Sequence, residues 1–127
     1  MRRFLLPLCL LVAAPAVGQE WRSAPEYDVL LTSYDIAPRV LRLKAGEPVR
    51  LRFVNNSNQG HRFSAESFFR NAKTRRRDGA LVRNGAILVP PLSTRTVVLV
   101  PKAGRYRMAG GSRLRRLLGM SGRIIVE

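Results

Sequence analysis

The residues of this chain that could bind a metal ion are few. The 127 residues contain one histidine, His61, one cysteine, Cys9, and three methionines. Met120 lies in the motif Gly119-Met120-Ser121-Gly122, and Met108 lies twelve residues before it. Imidazole and thioether groups are ligands that copper accepts, so His61, Met108 and Met120 could together hold Cu(I). The alternative is structural: Met108 fills the core, and the glycines around Met120 shape a tight turn.

The chain offers little else that could do chemistry. One histidine and eight scattered carboxylates form no nucleophile–base pair and no metal-hydrolase spacing. A glycine-rich phosphate loop is also missing from the sequence. The sequence therefore predicts a protein that is not an enzyme.

The N-terminus has the pattern of a secretory signal. Arg2 and Arg3 precede an apolar run, residues 4–14, that is too short to span a bilayer. Small residues at 16 and 18 predict cleavage after Gly18, and the alternative is an uncleaved N-terminal anchor. Cleavage would remove Cys9, so the mature chain would have no thiol and no disulfide. We therefore expect a periplasmic or secreted protein.

The charge is strongly positive. The formal net charge is +15, and all but three of the 23 basic residues are arginines. Such a chain attracts anions: nucleic acid, lipid phosphate or acidic polymers. Export argues against nucleic acid, which leaves an unknown periplasmic protein or an anionic surface, including peripheral contact with a membrane. The alternative is an arginine-rich solvated surface without a partner.

Alternating apolar and basic residues predict most of the strands. The alternation runs through 40–44 and 49–53, with a hairpin turn at Ala45-Gly46-Glu47-Pro48. Phe68, Phe69 and Ala72 have helical spacing and predict a helix over 65–73. Asn84-Gly85 predicts a second hairpin. About eight short strands predict an all-β sandwich or barrel over 27–127, preceded by a loose segment, 19–26.

The alternation also predicts a basic patch. If the strands before and after the first turn are neighbours, their basic side chains share one solvent-exposed face. That patch would consist of Arg42, Lys44, Arg50 and Arg52. It could meet lipid phosphate or an acidic partner, or it could be a solvated face.

Two long stretches carry a resemblance to a known family. "LKAGEPVRLRFVNNSNQGHRFSA" resembles the first half of a cupredoxin-like domain, and "PKAGRYRMAGGSRLRRLLGMSGRIIVE" resembles the second half. The phenylalanine-rich helix between them resembles an insert in the small periplasmic, iron-transport-associated branch. The resemblance covers about residues 27–127. It implies an antiparallel Greek-key β-sandwich with one short helix.

The resemblance also implies a ligand set. A type 1 copper site uses two imidazoles, one thiolate and a weak axial methionine. His61 matches the first histidine and Met120 the methionine, but the spacing Cys-x4-His-x4-Met places Gly110 and Arg115 at the other two positions. We therefore expect a degenerate site without a resident cofactor, in a binding or accessory protein. His61 and Met120 would then be vestigial or structural. The alternative is a copper-binding or electron-transfer protein that uses a weak His/Met site or a partner's ligand.

Overall fold

The computed structural model describes residues 21–111 and 120–127, so the predicted signal segment lies outside the described residues. These residues form one α-helix, one 3-10 helix and ten strands. The strands are β1 (Glu26–Leu31), β2 (Ile36–Ala37), β3 (Val40–Leu43), β4 (Val49–Asn55), β5 (His61–Ser64), β6 (Lys73–Thr74), β7 (Ala86–Val89), β8 (Thr94–Val100), β9 (Gly104–Gly110) and β10 (Ser121–Val126). The helices are α1 (Glu66–Asn71) and the 3-10 helix Arg76–Val82.

The strands form two five-stranded sheets. Sheet A has the order β2-β1-β4-β8-β6, and sheet B has the order β3-β10-β9-β5-β7. The predicted β-sandwich with one short helix is confirmed. The resemblance implies antiparallel strands, but both sheets are mixed, because β1 runs parallel to β4 and β3 runs parallel to β10, whereas the other pairs are antiparallel.

The core lies between the sheets and follows the predicted alternation. In β4, Val49, Leu51 and Phe53 are at most 1% exposed, whereas Arg50 and Arg52 are half-buried on the outer face. Period-two burial is what a strand with one core-facing side requires. Burying each large apolar side chain contributes about 1.5–3 kcal/mol, and this packing is the main stabilising term.

The helix α1 packs against the sandwich as its phenylalanines predict. It spans six residues, slightly shorter than the predicted 65–73, and it buries Phe68 and Phe69. The Phe68 ring lies 5.5 Å from Tyr106 in an edge-on arrangement, and Phe69 lies 6.1 Å from Phe63. Such edge-to-face pairs add to the area term.

The first predicted hairpin is wrong. β3 belongs to sheet B and β4 to sheet A, so the turn at 45–48 crosses from one sheet to the other. The N–H of Ala45 donates to the carbonyl of Glu127 (2.8 Å), and that of Gly46 donates to Pro101 (3.1 Å). These bonds hold the turn to the ends of other strands, because β3 gains its ladder from β10 instead of β4.

The second predicted hairpin is also wrong. Residues before Asn84-Gly85 form the 3-10 helix, and only the residues after it form a strand, β7. The carboxylate of Asp78 accepts hydrogen bonds from the Val98 N–H (3.0 Å) and from Arg75 Nε (2.9 Å). The buried Asp78 therefore anchors a helical turn over β8, where the sequence suggests a strand.

The predicted basic patch is wrong for the same topological reason. Arg42 lies on the outer face of sheet B, whereas Arg50 and Arg52 lie on sheet A. Arg52 binds Asp28 through two hydrogen bonds of 2.9 Å. Lys44 pairs with Glu47 at 3.3 Å. The four residues therefore do not share one face.

Candidate functional site

His61 opens β5 with its side chain in the sandwich interior. It is 1% exposed and faces inward, as Phe63 does, whereas Arg62 between them faces outward. Opposite it in the antiparallel ladder lies Val89 of β7. The strand alternation therefore determines which way the imidazole faces.

The register of sheet B brings Gly110 and Met120 to the same end as His61. Phe63 lies opposite Gly110, and the N–H of Gly111 donates to the carbonyl of Arg62 (3.1 Å). The N–H of Gly110 donates to the carbonyl of Met120 (2.8 Å), and Met120 is fully buried. Three of the four predicted site positions therefore converge at one end of the sandwich, here called the His61 end.

The packing around Gly110 leaves little space for a side chain. A Cβ atom at position 110 would lie 3.0 Å from Met120 Cε and 3.3 Å from Ile36 Cδ1. Ile36 comes from β2 of sheet A and is fully buried. The space in which a thiolate would begin is therefore bordered by two apolar groups. Ile36 could not be predicted as a neighbour of position 110, because its contact crosses between the sheets.

Met108 lies deeper in the same interior. It is two residues before Gly110 on β9, so both face inward, as strand alternation predicts. A Cβ atom at position 122 would lie 2.7 Å from Met108 Cε and would strike the carbonyl oxygen of Arg39. Gly122 therefore permits a close approach of the Arg39 backbone within a strand, which differs from the turn role that its motif suggests.

The described residues at the His61 end include no thiolate. Residues 21–111 and 120–127 include no group of three or more His, Cys, Asp or Glu side chains that could hold a metal. Within those ranges the thiolate position is glycine, and the soft donors are one imidazole and two thioethers. Arg115, at the second predicted imidazole position, lies outside the described residues, as does Gly119.

Asn55 is a site residue that the candidate set omits. Its buried side-chain amide donates to the carbonyls of Gln59 (2.8 Å), Val89 (3.0 Å) and Pro90 (3.0 Å). Its side-chain oxygen accepts hydrogen bonds from the N–H and the hydroxyl of Ser57. These bonds fix the loop that leads into His61. The signal was present, since an Asn that ends a strand two residues before a Ser favours such a local turn.

No family model and no curated protein matches the sequence. Solved structures do match. Auracyanin B is 21% identical, with a TM-score of 0.56, over 82% of this chain and 89% of that chain. Na-dithionite-reduced auracyanin from the photosynthetic bacterium Roseiflexus castenholzii is 14% identical, with a TM-score of 0.58, over 82% of this chain and 98% of that chain. These likenesses show the fold: a cupredoxin-like β-sandwich.

The described residues contain no helix that is long and apolar enough to cross a membrane.

Proposed function

We propose that this protein is an exported, cupredoxin-like binding or accessory protein that does not form a type 1 copper site from its own residues. The observation that carries the proposal is Gly110. At the position where the resemblance implies a thiolate, the chain has no side chain, and Met120 and Ile36 border the space.

The rest of the His61 end supports the same interpretation. Asn55 fixes the loop before His61 through hydrogen bonds to the protein's own backbone. The buried Met120 packs beside Gly110. The cupredoxin-like frame is therefore kept, while the copper-binding chemistry is replaced by apolar packing. The proposal includes the family: a cupredoxin-like domain of the small periplasmic, iron-transport-associated type, with a degenerate type 1 copper site.

Export rests on the predicted signal segment. Cleavage after Gly18 predicts a mature protein that begins at Gln19. Expression of the full chain in a bacterium, followed by periplasmic extraction and intact-mass measurement, tests this. A chain retained in the membrane fraction with residues 1–18 attached would contradict it.

The copper proposal is tested by titrating Cu(I) into the mature protein with a competing chelator present. We expect the wild type, His61→Ala and Met120→Leu all to leave the Cu(I) bound to the chelator. Circular dichroism establishes that the variants are folded, and Leu43→Val, which lies opposite Val126 at the other end of β10, serves as the core control. Stoichiometric wild-type binding that both site variants lose, but the control keeps, would overturn the proposal.

One observation favours a second candidate, which is copper handling. The two buried donors His61 and Met120 lie at the same end of sheet B. These donors could hold Cu(I) weakly on their own, or together with a ligand that a partner supplies. The outcome that overturns the first proposal is the one this candidate predicts.

A further inference from the structure

The outer face of sheet B is covered by exposed arginines. They come from four of its five strands: Arg42, Arg62, Arg105, Arg107 and Arg123. The ion pairs formed by arginines among residues 21–111 and 120–127 involve Arg39, Arg52 and Arg75 instead. Within this part of the chain, the five face arginines therefore have no acidic partner.

Three of these arginines form a close group. Arg107 of β9 lies directly opposite Arg123 of β10 in the antiparallel register. Arg105 is two residues from Arg107 on the same face. Directly opposed like charges destabilise a sheet, and nothing in the folding of the sandwich requires arginine at these outward positions. The group is better explained by a ligand that neutralises it.

The arginines line a groove. It has a volume of about 1460 Å³, and its lining includes Arg105, Arg107, Arg123 and the two serines Ser64 and Ser121. Its lining also includes Glu66 and Ser67 at the start of α1, and Arg39 and Val40 at the start of β3. Guanidinium groups bind phosphate oxygens through paired hydrogen bonds, and serine hydroxyls can add further bonds.

We propose that this groove binds a linear phosphate polyanion, with Arg105, Arg107 and Arg123 as its central contacts. A narrow chain can enter a groove and reach the residues that line it, whereas a flat bilayer contacts mainly the rim. An added peptide strand is also disfavoured, because β5, β9 and β10 each have both edges paired within sheet B. A closely spaced row of negative charges matches the groove best.

The groove is independent of the His61 end. Its arginines point outward from sheet B, whereas His61 and Met120 are buried between the sheets. Whether or not the protein binds Cu(I), this proposal is therefore unaffected. Equally, a failure to bind polyanions would not change the answer on copper.

In the test, inorganic tripolyphosphate is titrated into the mature protein and binding is measured by isothermal titration calorimetry. The double variant Arg107→Gln/Arg123→Gln removes the opposed pair. The control Arg77→Gln/Arg95→Gln removes the same charge from exposed sites outside the groove. We expect about a tenfold weaker affinity in the first variant and less than about a twofold change in the control.

Three results would overturn the proposal. The wild type could fail to bind tripolyphosphate, or the control could lose as much affinity as the groove variant, which would indicate attraction by net charge alone. Vesicles of phosphatidylglycerol could also displace tripolyphosphate in a manner that depends on Arg107 and Arg123, which would assign the groove to a membrane. Thermal unfolding of both variants verifies that they are folded.

Discussion

The outer faces of the two sheets use the same residue type in opposite ways. On sheet A, Arg52 lies between two carboxylates, 2.9 Å from Asp28 and 3.7 Å from Glu26. On sheet B, Arg107 lies opposite Arg123. Arg52 and Arg107 both come from strands in which basic and apolar residues alternate. The difference arises from the neighbouring strand, which supplies acids to sheet A and more arginine to sheet B.

This contrast separates charge that serves the fold from charge that is available to a ligand. An arginine paired within the protein contributes a little to stability and attracts few outside anions. An arginine held opposite another costs a little stability and attracts anions strongly. Substitutions on the two sides of the sandwich should therefore have opposite effects on stability.

The largest effect is expected at Asp78, beside sheet A. Asp78→Ala would leave Arg75 without its carboxylate and the Val98 N–H without its acceptor. We expect a loss of about 3 kcal/mol in the free energy of unfolding, measured by urea denaturation. Arg77→Ala, at an exposed position of the same helix, is the control and should change stability by less than about 0.5 kcal/mol. Equal losses of stability in both variants would contradict the prediction, because the loss could then not be assigned to the bonds that Asp78 makes with Arg75 and Val98.

A smaller effect of opposite sign is expected on sheet B. Arg107→Glu would replace an opposed pair of like charges with an attractive pair to Arg123. Stability should rise by about 0.5 kcal/mol at low ionic strength, and the gain should shrink in high salt. Arg95→Glu makes the same change in net charge opposite Phe53, where no arginine faces it. If both variants gain equally, relief of overall charge explains the result and the local pairing does not.

The smallest effect concerns the acid arm of the stability curve. The side-chain hydrogen bond from Arg52 holds the pKa of Asp28 below its ordinary value of 3.8. Because the native pKa is the lower one, the stabilisation is present above the unfolded pKa and is lost as the pH falls through the native pKa. Arg52→Gln should raise the pKa of Asp28, as measured by NMR titration of its carboxyl carbon.

The control for that titration is Arg50→Gln. Arg50 donates to the carbonyl of Trp21 (3.1 Å), with no carboxylate involved. Arg50→Gln should therefore leave the pKa of Asp28 unchanged. If the pKa of Asp28 does not change in Arg52→Gln, the bond to Arg52 is not what lowers it, and the prediction is wrong.

Local patterns in the sequence were enough to predict the layers but not their connections. Alternation correctly assigned the inward and outward residues of β4, and helical spacing located Phe68 and Phe69. Both depend on neighbours a few residues apart. The turn at 45–48 does not reveal whether its flanking strands pair, and here the ladder with β10 determines where β3 lies. The basic patch failed because it required that pairing.

The candidate site divides in the same way. The resemblance brought His61, Gly110 and Met120 into one hypothesis, and the register of β5, β9 and β10 brings their positions to one end. Ile36 was not predictable, because its contact with position 110 joins two sheets across the core. The groove of sheet B was not predictable either, because its central residues come from two strands, β9 and β10, whose pairing the sequence does not show.

The hydrogen bonds of Asn55 have a consequence for how this fold can change over time. In many small metal-binding domains the ion supplies part of the folding free energy, so its ligands and the fold must be retained together. Here one amide joins the 57–59 loop to the end of β7 through protein atoms alone. We therefore expect the loop before His61 to keep its conformation whether or not an ion is bound, so loss of an ion need not entail loss of the scaffold.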